Sequence, residues 1–250
     1  MWLVLCETHD AAASWAYSSL RARGLAPLEI LSAEQLALSE FQEHRLDGPR
    51  STLRLRTESG LQVDGQRLGG VLNRLWTVPI GHWRQAGEAD RNYVQQELFA
   101  FFLSWLHALP CPVLNRPTPQ GLCGQWRQES EWAWLARQAG LPVAAYRQTS
   151  RDTVVESRGE RRLVPAGATV HTAIVVGARV VGAAIPSAIA DACVRLSALA
   201  RTPLLGVDFV QSPDGWRFAG ASPTPDLRLG GEPLVDALMH ELRQSERAAA

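Results

Sequence analysis

The charged side chains restrict the available chemistry before any fold is considered. All 25 basic residues of this 250-residue chain are arginine, set against 25 acidic residues, and lysine does not occur. No lysine ammonium is available to hold a phosphate or form a Schiff base, and a G-x-x-x-x-G-K-(S/T) loop is impossible. Serine is plentiful, but no G-x-S-x-G elbow is present, so acyl hydrolysis has no nucleophile motif. The histidines His9, His44, His82, His107, His171 and His240 show neither H-E-x-x-H nor H-x-x-H spacing. Cys6, Cys111, Cys123 and Cys193 form no C-x-x-C pair and read as buried free thiols. Two Asn–Arg pairs remain, Asn73-Arg74 and Asn115-Arg116, together with a carboxylate, Asp208, in an apolar run. Guanidinium groups bind carboxylates bidentately, so Arg74 and Arg116 suit recognition of a carboxylate or a peptide backbone. Surface ion pairs to Glu88 or Asp90 are an equally good reading of them. Asp208 reads either as a metal ligand or as a strand-end carboxylate paired with Arg217.

The elements that must carry these residues follow from periodicity. Met1 to Cys6 is a short apolar run, followed by a loop containing Thr8-His-Asp10 and an alanine-rich helix to Arg21 that stops near Gly24. Leu28 to Leu31 reads as a second parallel strand with that helix as crossover. Alternation between Leu53 and Leu68 predicts a hairpin, and Val71 to Leu75 a buried strand. Tyr93, Leu98, Phe101, Phe102, Trp105 and Leu106 recur at helical spacing between Arg91 and Leu109. A strand and loop occupy Pro110 to Pro119, and a tryptophan-rich helix follows within Gly124 to Gly140. The polar, arginine-rich stretch 147–167 reads as a surface hairpin or a mobile connection. Beyond it come a hairpin (Val170 to Val176, Arg179 to Ala184), a helix (Ile189 to Ala200), a second hairpin around Pro213-Asp-Gly215, and a last helix from Pro233 to Arg243.

In order and wording, these segments resemble the ATP-grasp superfamily, in the branch that ligates amino acids onto peptides or proteins. Gly206-Val-Asp-Phe-Val-Gln-Ser-Pro-Asp-Gly215 is similar to the strand–turn–strand carrying the metal-binding face of that family's nucleotide site. Val175-Val-Gly-Ala-Arg-Val-Val-Gly-Ala183 resembles the hairpin before it. Ala139-Gly-Leu-Pro-Val143 resembles the end of the helix opening the central domain, and Val113-Leu-Asn-Arg-Pro117 the segment just ahead. Val71-Leu-Asn-Arg74 falls where peptide-modifying members carry an arginine strand. The resemblance implies an α/β chain: an amino-terminal doubly wound, pre-ATP-grasp-like domain over 1–119, then a reduced ATP-grasp-like α+β domain over 120–250.

Departures from the family pattern set the functional expectation. The resemblance implies an Asp on the first strand, matched by Asp208, and a Glu-x-Asn on the second, where this chain has Gly220-Ala221-Ser222. It implies two phosphate-binding lysines; Arg127 stands near the first place. The interval from Val143 to Gly177 is too short for the lid sheet carrying the second. Mg²⁺ needs near-octahedral oxygen ligation, so Asp208 alone is a vestigial ligand. The expectation is a shortened pseudoenzyme with no catalytic residue and no cofactor. It binds a peptide or protein partner through Asn73, Arg74, Asn115 and Arg116 on the face between the domains, beside an intact ATP-grasp ligase in peptide modification. The alternative is an active Mg-ATP-dependent carboxylate–amine ligase with an arginine-built nucleotide site. Relatives that self-associate suggest testing for a homodimer. Balanced charge gives no field for nucleic acid or an anionic membrane, and no apolar run reaches the roughly 20 residues of a membrane span. With no amino-terminal signal pattern either, a cytoplasmic location is expected.

Overall fold

A computed structural model describes residues 1–47, 50–145, 168–213 and 215–244. The expected hairpin at 147–167 lies outside the described residues. The chain forms two compact units, Met1–Gln125 with Leu238–Ala250, and Trp126–Ala237. From Leu238 the carboxy-terminal residues belong with the first unit. Their anchor is the Trp2 indole, which donates to the Leu242 carbonyl at 3.2 Å. That carbonyl sits where a Cβ on Gly70 would meet it at 2.8 Å, so only glycine fits there.

In the first unit, β1 (Trp2–Cys6) is buried along its whole length because it is an inner strand of a parallel sheet. Asp10 caps α1 (Ala11–Ala22), its carboxylate accepting from Ala13 N at 2.9 Å. Ala12, Ala13, Ala16 and Leu20 form the helix's buried stripe. β2 (Leu28–Ser32) runs parallel to β1 and leads into α2 (Ala33–Ala37), which opens with a capping box between Ser32 and Gln35. The hairpin expected in this region is a three-stranded antiparallel sheet: β3 (Phe41–Asp47), β4 (Arg50–Arg56) and β5 (Gln62–Asp64), in the order β3-β4-β5. β6 (Gly70–Asn73) returns beside β1, and α3 (Glu88–Ala108) buries Phe102, Trp105 and Leu106. β7 (Val113–Leu114) completes the parallel sheet β2-β1-β6-β7.

In the second unit, α4 (Glu129–Gln138) is followed by β8 (Val170–Val176), β9 (Arg179–Gly182), α5 (Ser187–Ala200), β10 (Leu204–Ser212), β11 (Gly215–Ser222) and α6 (Gly231–Leu242). α6 starts here, and its last turn belongs to the first unit. The four strands form an antiparallel sheet in the order β11-β10-β8-β9. One face buries Ala173, Val175, Val207, Phe209 and Phe218 against Trp132 and Ala136 of α4 and Cys193 and Leu196 of α5. On the other face Gly206 lies against Pro225, where a Cβ would come within 2.6 Å of the proline ring. A bulge in β11 interrupts the register next to Asp208: Asp208 pairs with Gly220 and Phe209 with Phe218. The protein is thus α/β, with one parallel and two antiparallel sheets. Among the described residues no helix is long and apolar enough to cross a membrane.

Candidate functional site

Two places gather the residues singled out by the sequence, one in each unit. The first is the carboxyl end of the parallel sheet. From β1 the chain moves outward to β2 and later returns to β6 on β1's other side. This reversal is the topological switch point beside which such sheets bind ligands. Asn73 and Arg74 end β6, and Asn115 and Arg116 follow β7, so all four lie at this end.

Their side chains are turned mainly to internal bonding. Arg74 is 4% exposed and grips Asp10 with two hydrogen bonds, Nε to Oδ2 at 2.7 Å and Nη2 to Oδ1 at 3.2 Å. Asp10 serves as helix cap and as counter-ion to Arg74 together. Asn73 donates to the carbonyls of Asn115 (2.8 Å) and Leu122 (2.7 Å) and accepts from Leu75 N at 3.2 Å. Asn115 holds a left-handed backbone, φ 63°, and the Cys123 thiol donates to the Asn73 carbonyl at 3.1 Å. Arg116 donates to four carbonyls, those of Leu106, His107, Leu109 and Cys111, at 2.8–3.2 Å. It is a cation closing the carboxyl end of α3, where the helix dipole favours it.

Sequence reasoning passed over a neighbour of this group. Glu7, just after β1, accepts from Trp76 N (2.6 Å), Thr77 N (2.8 Å) and Thr77 Oγ1 (3.1 Å). Its signal was positional: a carboxylate immediately beyond a buried parallel strand. The four cysteines are buried and form no disulfide, and burial pushes their thiols up to about 11 for Cys6 and Cys111 and about 12 for Cys123 and Cys193. Burial of this kind disfavours the thiolate, which is the nucleophilic form.

The second place is the face of the antiparallel sheet carrying Asp208. Thr172, opposite it on β8, donates its hydroxyl to Asp208 Oδ1 at 2.6 Å. Burial raises the Asp208 pKa above its usual value, and the Thr172 hydrogen bond pulls it partly back. On the other flank stands Gly220, where a Cβ would be 3.9 Å from Oδ2. A side chain fits at 220, and none is present. Ser222 lies further along the same face, its hydroxyl accepting from Thr224 N at 3.1 Å. Asp226, beyond the proline loop, caps the following 3₁₀ turn and is bound by Arg228 at 2.7–2.8 Å. Arg127 donates to the Ala200 carbonyl at 3.0 Å and lies 5.1 Å from the Trp132 ring centroid.

A magnesium nucleotide is the ligand this strand–turn–strand would imply, and the donor set does not fit it. Mg²⁺ shared with phosphates takes one or two carboxylates in near-octahedral geometry. Here one carboxylate, already bonded to a hydroxyl, faces a glycine. Among the described residues no cluster of three or more His, Cys, Asp or Glu side chains could hold a metal ion.

No protein-family model matches the chain, and no curated protein matches it in sequence. Solved structures do match. The macrocyclase MdnC of Microcystis aeruginosa, bound with precursor peptide MdnA, superposes with a TM-score of 0.71 at 12% identity, covering 98% of this chain and 99% of MdnC. The ATP-grasp ligase PsnB, complexed with minimal precursor, Mg and ADP, gives 0.67 at 18% identity, covering 97% and 98%. A RiPP-associated ATP-grasp ligase of Chryseobacterium gregarium, in complex with ADP and a leader and core peptide, gives 0.65 at 14%, covering 98% and 94%. The chain has the ATP-grasp fold in the form taken by these peptide ligases.

Proposed function

We propose that this chain binds a peptide or protein partner on an ATP-grasp scaffold and does not itself carry out ATP-dependent ligation, acting instead beside an intact ligase in peptide modification. The observation that carries the reading is the Asp208 face, with Thr172 on one side and a bare Gly220 on the other. Acyl-phosphate chemistry depends on positioning and neutralising a triphosphate, and its usual instruments are lysines and a metal held by several oxygens. The chain has no lysine. The arginine nearest the expected first lysine position, Arg127, is engaged with a backbone carbonyl and an indole ring.

The partner half of the reading rests on surface tryptophans and on the company the fold keeps. Trp76, Trp126 and Trp134 are 44%, 53% and 62% exposed, and exposed tryptophan is a common anchor at interfaces. The MdnC, PsnB and Chryseobacterium structures each contain a precursor or leader and core peptide. Titration calorimetry of the full chain with ATP and a non-hydrolysable analogue, with and without Mg²⁺, tests the proposal. The expected result is no magnesium-dependent binding in the micromolar range. Magnesium-dependent micromolar binding, lost in Asp208→Asn, would establish a working nucleotide site and overturn it.

A further inference from the structure

The three-stranded sheet of the first unit is two-sided. Strand alternation sends Leu53, Leu55 and Val63 into the core and turns Arg54, Arg56 and Gln62 outward, where all three are exposed. The ladders set this outer face in rows. Phe41 of β3 lies opposite Arg56 of β4, which lies opposite Gln62 of β5, and the next row is Glu43, Arg54 and Asp64. After β5 a 3₁₀ turn, Gly65–Arg67, brings the exposed Arg67 to the start of β6. Arg54, Arg56, Gln62 and Arg67 together border a cavity of about 810 Å³. Met1, just ahead of β1, also lines it, so the cavity lies by the amino end of the parallel sheet, whereas Asn73 and Arg74 stand at the carboxyl end.

Among the described residues, three guanidinium groups and one carboxylate, that of Asp64, line this cavity. The acids that flank Arg54 across the strands are turned to other groups: Glu43 pairs with Arg45 at 3.1 Å, and Asp64 accepts from Gln66 N at 3.0 Å. Arg54 and Arg67 make no ion pair among the described residues, and Arg56 makes one, to Glu40 at 3.0 Å. A guanidinium has five N–H donors, so Arg56 keeps some for a second anion. Apolar surface adjoins the charge: the Phe41 ring is 45% exposed at the rim, and Leu55 and Val63 contribute to the floor. The volume falls within the roughly 300–1,000 Å³ of small-molecule sites and is more than a bare inorganic anion fills.

We propose that this cavity binds a small organic anion, its phosphate or carboxylate group held by Arg54 and Arg67 with Arg56 alongside, and its apolar body laid against Phe41. Planar guanidinium forks match both kinds of head group bidentately. Gln62, in register with Arg56, adds an amide donor for a remaining oxygen. Asp64 sets a limit on the ligand, because a second anionic group placed near it would be repelled. The site lies in the first unit and Asp208 in the second, so it stands apart from the question of a nucleotide.

Nuclear magnetic resonance titration of the full, isotope-labelled chain decides the matter, with phenyl phosphate and benzoate as the two anions. Saturable shifts are expected at the backbone amides of Arg54, Arg56, Gln62 and Arg67, and the tighter of the two probes tells which head group the site takes. Inorganic phosphate, which has no apolar body, and benzyl alcohol, which has no charge, should each bind at least about fivefold more weakly than the better anion. Arg54→Gln and Arg67→Gln should each weaken that anion about tenfold. Both side chains are exposed, so circular dichroism should be unchanged in these variants. No saturable binding of either aromatic anion, shifts confined to residues outside this cavity, benzyl alcohol binding as tightly as the anions, or binding indifferent to both arginine substitutions would each overturn the assignment.

Discussion

At the end of the parallel sheet, Glu7, Asn73 and Arg116 each bond to two or more groups on other segments, Asp10 and Arg74 bond to each other through two hydrogen bonds, and that charged pair is almost wholly out of water. On the antiparallel sheet of the second unit, Asp208 has one hydroxyl partner on one side and a glycine on the other. Both are places where this fold class positions chemistry. The difference teaches how unequally the two places satisfy their polar side chains from within the fold. The arginines and asparagines at the first place also hold strands and a helix end together, whereas Asp208 bears a desolvation penalty that its one hydrogen bond only partly relieves.

The contrast is broken most forcefully at Asp10. Asp10→Ala removes a helix cap and leaves the Arg74 guanidinium buried without this carboxylate. Loss of one member of a buried pair costs about 3–5 kcal/mol, and loss of a cap about 1 kcal/mol more. Asp10→Asn keeps the cap and deletes the charge, so urea denaturation should place it between wild type and Asp10→Ala. Equal stability of all three would mean that the pair contributes nothing to folding. Arg116→Ala is milder, because the half-buried carbonyls it serves gain access to water. About 1 kcal/mol is expected from lost charge-assisted bonds at the carboxyl end of α3, read as a lower urea midpoint at unchanged slope.

Much of this architecture was legible in the sequence because the patterns are local. The apolar runs at Trp2–Cys6 and Leu204–Ser212, the Gly177 and Gly215 turns, and the stripes of α1 and α5 appear where periodicity puts them. β3 was not legible: Phe-Gln-Glu-His-Arg-Leu-Asp has no apolar alternation, and what makes it a strand is the ladder to β4. α2 was missed although Ser32 and Gln35 spell a capping box, the helix being only five residues long. At the sites, Asn73 at the end of β6, Arg74 just after it, and Asn115 and Arg116 after β7 come to one end of one sheet. That Asp10 would take up Arg74, or that α3 would end beneath Arg116, depends on contacts more than 60 residues apart in the first case and on the helix's final turn in the second. No spacing rule encodes either.

The smallest effect is the most discriminating, and it concerns Asp208. Its pKa in the folded chain is raised, first by burial, against the opposing hydrogen bond from Thr172. The folded state therefore holds this proton more tightly than the unfolded chain does, and ionisation penalises folding. That penalty is absent below the unfolded aspartate value of about 3.9, grows as the pH rises toward the folded pKa, and is fully present above it. Asp208→Asn keeps an oxygen for the Thr172 hydroxyl and removes the ionisation. The variant should be more stable than wild type at neutral pH, with the difference shrinking to nothing as the pH falls below the unfolded aspartate value. Thermal unfolding at several pH values reads this directly. A variant less stable at neutral pH would show that the Asp208 anion is stabilised in the fold by a cation or a dipole beyond Thr172, and the second sheet would then resemble the first.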